Sequence, residues 1–284
     1  MKVKHILLVR FFPFQIKGFI YDTKDALFLK KQAKIFKTNL LSTLENQTNK
    51  DFVVVIIVNK ETYERQETKD IINDLKESSP FETEILPCFD DGTINGFTRD
   101  PKYIEYLTTS MDGVDYLIES RTDFDDFVHK DASLVTKQIV EKSPKGLFYH
   151  GYCKGLTYVN DKEMYLFDYF TDGQKRSGHW AIFTSIIINC KDMINKPFMS
   201  IYGFNHGNPK GPFTKYGLDN GIETTLIQDD LDDAFIYIRH DSNWATMGKN
   251  EVRLPGYARV RKYTEQECEQ YKKIFASRFG FKQS

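Results

Sequence analysis

Residues 51–58 read DFVVVIIV, a β-branched run without polar alternation. Such a strand is covered on both faces, as in a parallel sheet with helices above and below. Helical spacing flanks it. Upstream, residues 24–46 carry Ala26, Leu27, Leu29, Ala33, Ile35, Phe36, Leu40, Leu41 and Leu44. Downstream, residues 61–77 are charged, with Ile71, Ile72 and Leu75 on one face. Working outward, strands are predicted at 4–11, 81–87, 114–120 and 145–152, and helices at 101–109 and 131–142; DDGTING at 90–96 is a loop of turn formers. Strands alternating with helices define an α/β fold with a mainly parallel sheet and helices on both faces. Ligands of such sheets bind at the carboxyl ends of the strands. Arg10, Asn59 and Asp123 fall at or near three of those ends.

Beyond residue 150 the pattern changes. TYVN, EMYLFDYF and AIFTSIIIN within 155–190 suggest antiparallel strands, giving a mixed C-terminal half. YGFNHGNPKGP at 202–213 is rich in Gly, Asn and Pro; a strand AFIYIRH ends at His240, and 264–277 suits a final helix. The expectation is one fold in two halves, 1–150 binding a donor and 151–284 an acceptor.

Composition narrows the function classes. Net charge is −1, so no global basic excess points to nucleic acid. Aromatic residues make up 14%, which a Phe-rich core explains, with some rings free to pack on sugar C–H faces. Cys88, Cys153, Cys190 and Cys268 stand singly, as reduced thiols of a cytoplasmic protein would. The opening MKVKHILLVRFFPF suits a first strand better than a signal peptide, and no apolar run reaches the length of a membrane span. A peripheral contact at the inner membrane face remains open to such a chain.

The segment YLIESRTDFDD at 116–126 packs three carboxylates, Asp123, Asp125 and Asp126, into four residues after an apolar strand. Like charges this close repel unless a cation neutralises them. Oxygen-only ligands suit Mg²⁺ or Mn²⁺, which keep positions open for phosphate oxygens. An EF-hand calcium loop is excluded, because its sixth position needs Gly and Val128 stands there. A solvated acidic turn capping the next helix is the bland alternative.

These stretches carry a resemblance. Residues 40–59, LLSTLENQTNKDFVVVIIVN, resemble the opening of GT-A glycosyltransferases, where an early helix ends in a Ser-Leu-x-x-Gln-Thr phrase before the second strand. Val9-Arg10-Phe11, Arg99 and the run Arg121-Thr122-Asp123-Phe124-Asp125-Asp126 are similar in order and spacing to family-2-type enzymes. They are also similar to the rhamnosyltransferase-like family, with its early Thr-Arg-Phe and its Arg-x-Asp-x-Asp-Asp. The sequence departs from the common family-2 pattern at Asn59, where an acidic residue usually receives the nucleoside. The resemblance implies a metal on the donor diphosphate at Asp123, Asp125 and Asp126, with Arg10 and Arg99 near the donor; Asn59 and Asp123 are donor-binding candidates from their places at the strand ends. It also implies a late histidine completing the metal shell, for which His240 is the candidate.

An inverting transfer needs a carboxylate to take the acceptor proton. Asp229 and Asp230 are the first candidates, ahead of Asp232 and Asp233 in the same run and of Asp168 and Asp172. His179 and Trp180 are candidates to line a sugar subsite. The expected activity is metal-dependent transfer of a sugar from a nucleotide-diphosphate donor to a glycan or lipid-linked hydroxyl acceptor, in surface-glycan synthesis. The competing readings are a nucleotidyltransferase-like phosphotransfer enzyme, which lacks its Gly-rich phosphate loop here, and a non-catalytic carbohydrate-binding protein.

Overall fold

The computed structural model describes residues 1–11, 25–89, 96–142, 145–152, 154–159, 163–168, 170–171, 174–175, 183–204, 210–229, 235–239 and 259–279. The strands are β1 (Val3–Arg10), β2 (Val53–Asn59), β3 (Thr83–Cys88), β4 (Tyr116–Asp123), β5 (Phe127–Val128), β6 (Leu147–Tyr152), β7 (Lys154–Val159), β8 (Glu163–Asp168), β9 (Phe170–Thr171), β10 (Gln174–Lys175), β11 (Thr184–Asn189), β12 (Thr224–Asp229), β13 (Phe235–Arg239) and β14 (Arg259–Lys262). The helices are α1 (Ala26–Phe36), α2 (Ser42–Leu44), α3 (Lys60–Tyr63), α4 (Gln66–Ser78), α5 (Pro101–Ser110), α6 (Ala132–Lys142), α7 (Lys210–Asn220) and α8 (Glu265–Phe279).

Seven strands form the main sheet in the order β12-β6-β11-β4-β1-β2-β3. Only β11 runs against its neighbours; the pairs of β1 with β2 and β4, β2 with β3, and β6 with β12 are parallel. The sheet is therefore mainly parallel. Helices cover both faces. On one, Leu29, Ala33 and Phe36 of α1 and Ile71, Ile72 and Leu75 of α4 pack on Leu7, Val9, Val54, Ile56 and Val58. On the other, Tyr103 and Leu107 of α5 and Phe213 of α7 pack on Ile6, Leu8, Val55 and Ile57. Alternate residues of β1 and β2 thus enter opposite cores, which is why 51–58 shows no polar alternation.

Three details depart from the sequence expectations. The helix over 24–46 runs from Ala26 to Leu44 with a π-helical turn at Lys37–Leu41. The helix over 61–77 is two, because Arg65 is extended between α3 and α4 (φ −78°, ψ 133°). The Gly/Pro-rich stretch contains the start of α7, whose Lys210-Gly-Pro opening sets Pro212 in the first turn, where its missing N–H costs nothing.

A second sheet has the order β14-β8-β7-β13-β5. Its β13 pairs parallel with β7 and antiparallel with β5, so the second half is mixed rather than purely antiparallel. Strand β5 follows the acidic turn directly, and both sheets therefore meet at residues 123–128.

Candidate functional site

The parallel strands end at one edge of the main sheet. Arg10 stands beside Asp123 in the β1–β4 pairing, and Asn59 beside Cys88 in the β2–β3 pairing. Arg10 Nη2 lies 3.8 Å from Asp123 Oδ1, with the side chains 25% and 27% exposed. An ion pair this solvated adds little to stability.

Asn59 caps α3, its Oδ1 accepting from Thr62 N at 3.0 Å. Its acceptor is thus committed locally, while its amide keeps two donors. Arg99 is exposed, in the short helical turn Gly96–Arg99. The adjacent Asp100 caps α5 and accepts from Phe89 N, closing the base of the loop that leaves β3. That closure keeps Arg99 at the β3 end of the same edge.

The acidic turn is held from below. Asp126 N donates to Asp123 O at 3.4 Å. Phe124 is buried edge-to-face against Phe11 at 5.5 Å and Phe36 at 6.4 Å. The first long helix and the residues after it supply polar supports. Asn39 Nδ2 donates to Asp125 O at 2.9 Å, and Val128 N to Thr43 Oγ1 at 3.4 Å. Gln47, 2% exposed, donates to His129 O at 2.8 Å and accepts from Ser133 N at 3.1 Å. Thr48 N donates to Lys130 O at 2.7 Å. The Leu44-Glu45-Asn46-Gln47-Thr48 phrase is therefore a clasp on the segment that follows the acidic turn.

Burial separates the three carboxylates. Asp123 is partly open, whereas Asp125 is 5% and Asp126 0% exposed. Among the described residues, no group of three or more His, Cys, Asp or Glu side chains is placed to hold a metal ion. The turn fits a divalent ion only as part of a shell, with further ligands from a bound diphosphate or from outside the described residues. His240 lies outside them. Strand β13 nonetheless leads toward the turn. It is antiparallel to β5, with Phe235 beside Val128 and Ile236 beside Phe127.

Asp229 is the last residue of β12, which runs parallel to β4 at the same edge. Two strands intervene, so the spacing is three steps of about 4.8 Å each. Asp168 ends β8 in the second sheet. Asp230, Asp232, Asp233, Asp172, His179 and Trp180 lie outside the described residues.

Sequence reasoning assigned no role to Glu119 and Arg121, which point into the core from the same face of β4 as Asp123. Glu119 Oε1 accepts from Tyr103 Oη (3.2 Å), Ser200 Oγ (2.7 Å) and Ile201 N (3.1 Å). Burial pushes its carboxyl up to about 7, against the pull of these donors and of Arg121. Arg121 lies over the Tyr202 ring, 4.4 Å from its centroid. The available signal was charge at every second position, 119, 121 and 123, in a strand otherwise suited to burial.

The larger described cavities lie elsewhere, while a small one is lined in part by Phe11, Val58, Asn59 and Thr62. One of about 510 Å³ sits by the amino end of β1, lined in part by Lys4, His5, Lys50 and Asp51. Another, of about 560 Å³, lies between α1 and α4.

No protein-family model and no curated protein matches the sequence. Solved structures similar to the chain include residues 1–349 of S. aureus TarS in complex with UDP-GlcNAc. That pair shares 9% identity over 84% of this chain, with a TM-score of 0.44. The chain spans 59% of that structure's length. Mouse xyloside xylosyltransferase 1, in its apo form, is 10% identical over 79% of this chain and 85% of its own, with a TM-score of 0.40. No described helix is long and apolar enough to cross a membrane.

Proposed function

We propose that the chain is a glycosyltransferase that moves a sugar from a nucleoside-diphosphate donor to a hydroxyl acceptor, with a divalent metal on the diphosphate. The carrying observation is the pairing of Arg10 with Asp123 at the carboxyl edge of a GT-A-like sheet, directly before a buttressed acidic turn. A cation and a carboxylate side by side suit a ligand that is itself an anion carrying a cation. Mn²⁺ or Mg²⁺ would be held by Asp123, Asp125 and Asp126 of the acidic turn, with His240 as the ligand from the second half. The ion would supply charge stabilisation for the leaving diphosphate.

Each residue then has a task at a stated place. Arg10 and Arg99 meet the donor's phosphates from β1 and from the β3 end of the edge. The Asn59 amide remains free to donate to the nucleoside. Asp229, at the end of β12, or Asp230 takes the acceptor hydroxyl proton in an inverting transfer. The acceptor is a glycan or lipid-linked sugar, within surface-polysaccharide synthesis in the cytoplasm. We assign donor binding to 1–150 and acceptor binding to 151–284.

A panel of nucleotide sugars, assayed for nucleotide release with Mn²⁺, tests the proposal. At least one donor should release its nucleoside diphosphate, and Asp125→Asn should lower that rate at least 100-fold while melting like the parent. Release of pyrophosphate from a nucleoside triphosphate, with no release of nucleoside diphosphate from any sugar donor, would instead favour nucleotidyl transfer.

A further inference from the structure

Arg121 is 2% exposed, in the middle of the sheet's carboxyl end. Its strand neighbours are Leu8 of β1 and Thr184 of β11. Its guanidinium packs on the Tyr202 ring, but buried Nε and Nη1 have no hydrogen-bond acceptor among the described residues. A guanidinium is a planar fork of five donors that cannot shed its proton. Burying such a group without acceptors is costly, and native proteins rarely leave it so. Glu119 does not meet this need: its Oε1 already serves three donors, and its Oε2 makes no hydrogen bond.

The placement of Arg121 indicates what is missing. Asp123 follows it by two residues on the same strand face, and Arg10 follows Leu8 by two on β1. Arg121 and Arg10 therefore face the same side of the sheet, one pleat apart on adjacent strands. The Tyr202 ring lies against the Arg121 guanidinium. Burial pushes its phenol up to about 12, while both guanidiniums pull it down. Its hydroxyl donates to Leu8 O at 3.4 Å, fixing the ring against β1.

We propose that Arg121 is the buried floor of an oxyanion subsite, its fork receiving phosphate oxygens of the donor diphosphate while Arg10 meets them from the open side. The identity of the anion rests on the nucleotide-sugar reading; the need for an oxyanion does not. Charge-assisted, bidentate contact is the arrangement for which a guanidinium is better suited than an ammonium. A fork already desolvated in the unliganded protein gives up little water when the phosphate arrives.

Calorimetry with inorganic pyrophosphate, without metal, tests the subsite on the full chain. The parent should bind pyrophosphate, and Arg121→Met should bind it at least tenfold more weakly. The unliganded variant should melt no lower than the parent, since it removes a buried charge without acceptors. Should Arg121→Met fail to fold, Arg121→Lys decides: it keeps the charge but loses the fork, and its affinity should also fall at least tenfold. A smaller loss in a folded variant, or no pyrophosphate binding by the parent, overturns the subsite. Turnover of a nucleotide sugar with pyrophosphate affinity independent of Arg121 sinks the subsite alone. Pyrophosphate binding through Arg121 with no turnover of any nucleotide sugar sinks the transferase reading alone.

Discussion

Phe124 sits between the partly open Asp123 and the buried Asp125, and its ring is one of the buried contacts of Phe11 and Phe36. Phe124→Ala should cost roughly 3–5 kcal/mol of stability, the usual range for a buried phenylalanine. Chemical denaturation would measure it, and a loss below 1 kcal/mol would show that the ring does not anchor the turn. Arg10 was legible in the sequence because it ends an apolar strand, and Asp123 because it opens an acidic cluster just after one. The burial of Asp125 and Asp126 was not, because a triplet of acids in a turn looks the same whether it is solvated or folded inward. His5 offers a pH test. It is buried beside Ser120, its Nε2 2.8 Å from Ser120 Oγ, and desolvation holds its pKa down to about 3. Between about 6.5 and 3 the unfolded chain takes up a proton that the native chain refuses. Stability from this group is therefore complete above pH 6.5 and is lost as pH falls, by about 2 kcal/mol at pH 5. Melting curves at pH 8 and pH 5 should show the parent losing more than His5→Gln. Glu119 titrates in the opposite sense across part of this range but is common to both proteins. Equal losses in the two proteins would remove His5 from the account.

At the scale of elements, the helix from Ala26 to Leu44 and its sequel Glu45–Thr48 do more than cover the sheet. Gln47 and Thr48 reach residues 129–133, and Asn39 and Thr43 reach 125–128. Removing Gln47 would leave His129 O and Ser133 N without this partner inside the protein. Gln47→Ala should therefore cost roughly 2–4 kcal/mol, from two buried groups losing their partner. It should also slow sugar transfer more than Phe81→Leu, a conservative change in a ring stacked on Phe52 near the amino edge. Equal slowing in both variants would argue that the clasp stabilises the fold without positioning the turn. The apolar strands and the main helices were legible because their periodicity is local. The clasp was visible only as a phrase resembling other enzymes, since its partners lie more than 80 residues downstream. The break at Arg65 and the start of α7 depend on single backbone angles and first-turn chemistry that composition does not fix.

Across the whole molecule, residues from both sides of position 150 share the main sheet, and β5 of the first half pairs with β13 of the second. That pairing sets the start of β13 beside the strand that follows the acidic turn. If His240 completes the metal shell, Mn²⁺ affinity should fall as pH drops below about 6.5, because only neutral imidazole ligates. Titration calorimetry of the parent and His240→Ala at pH 7.5 and 5.5 should show this dependence in the parent alone. The same dependence in both would assign the metal to carboxylates and phosphate only. A crystal structure with nucleoside diphosphate and Mn²⁺ tests whether the carboxyl edge is the donor site. The diphosphate should lie against Arg10 and Asp123, at the ends of β1 and β4. A nucleotide bound instead at the opposite edge, in the cavity lined by Lys4, His5, Lys50 and Asp51, would contradict it.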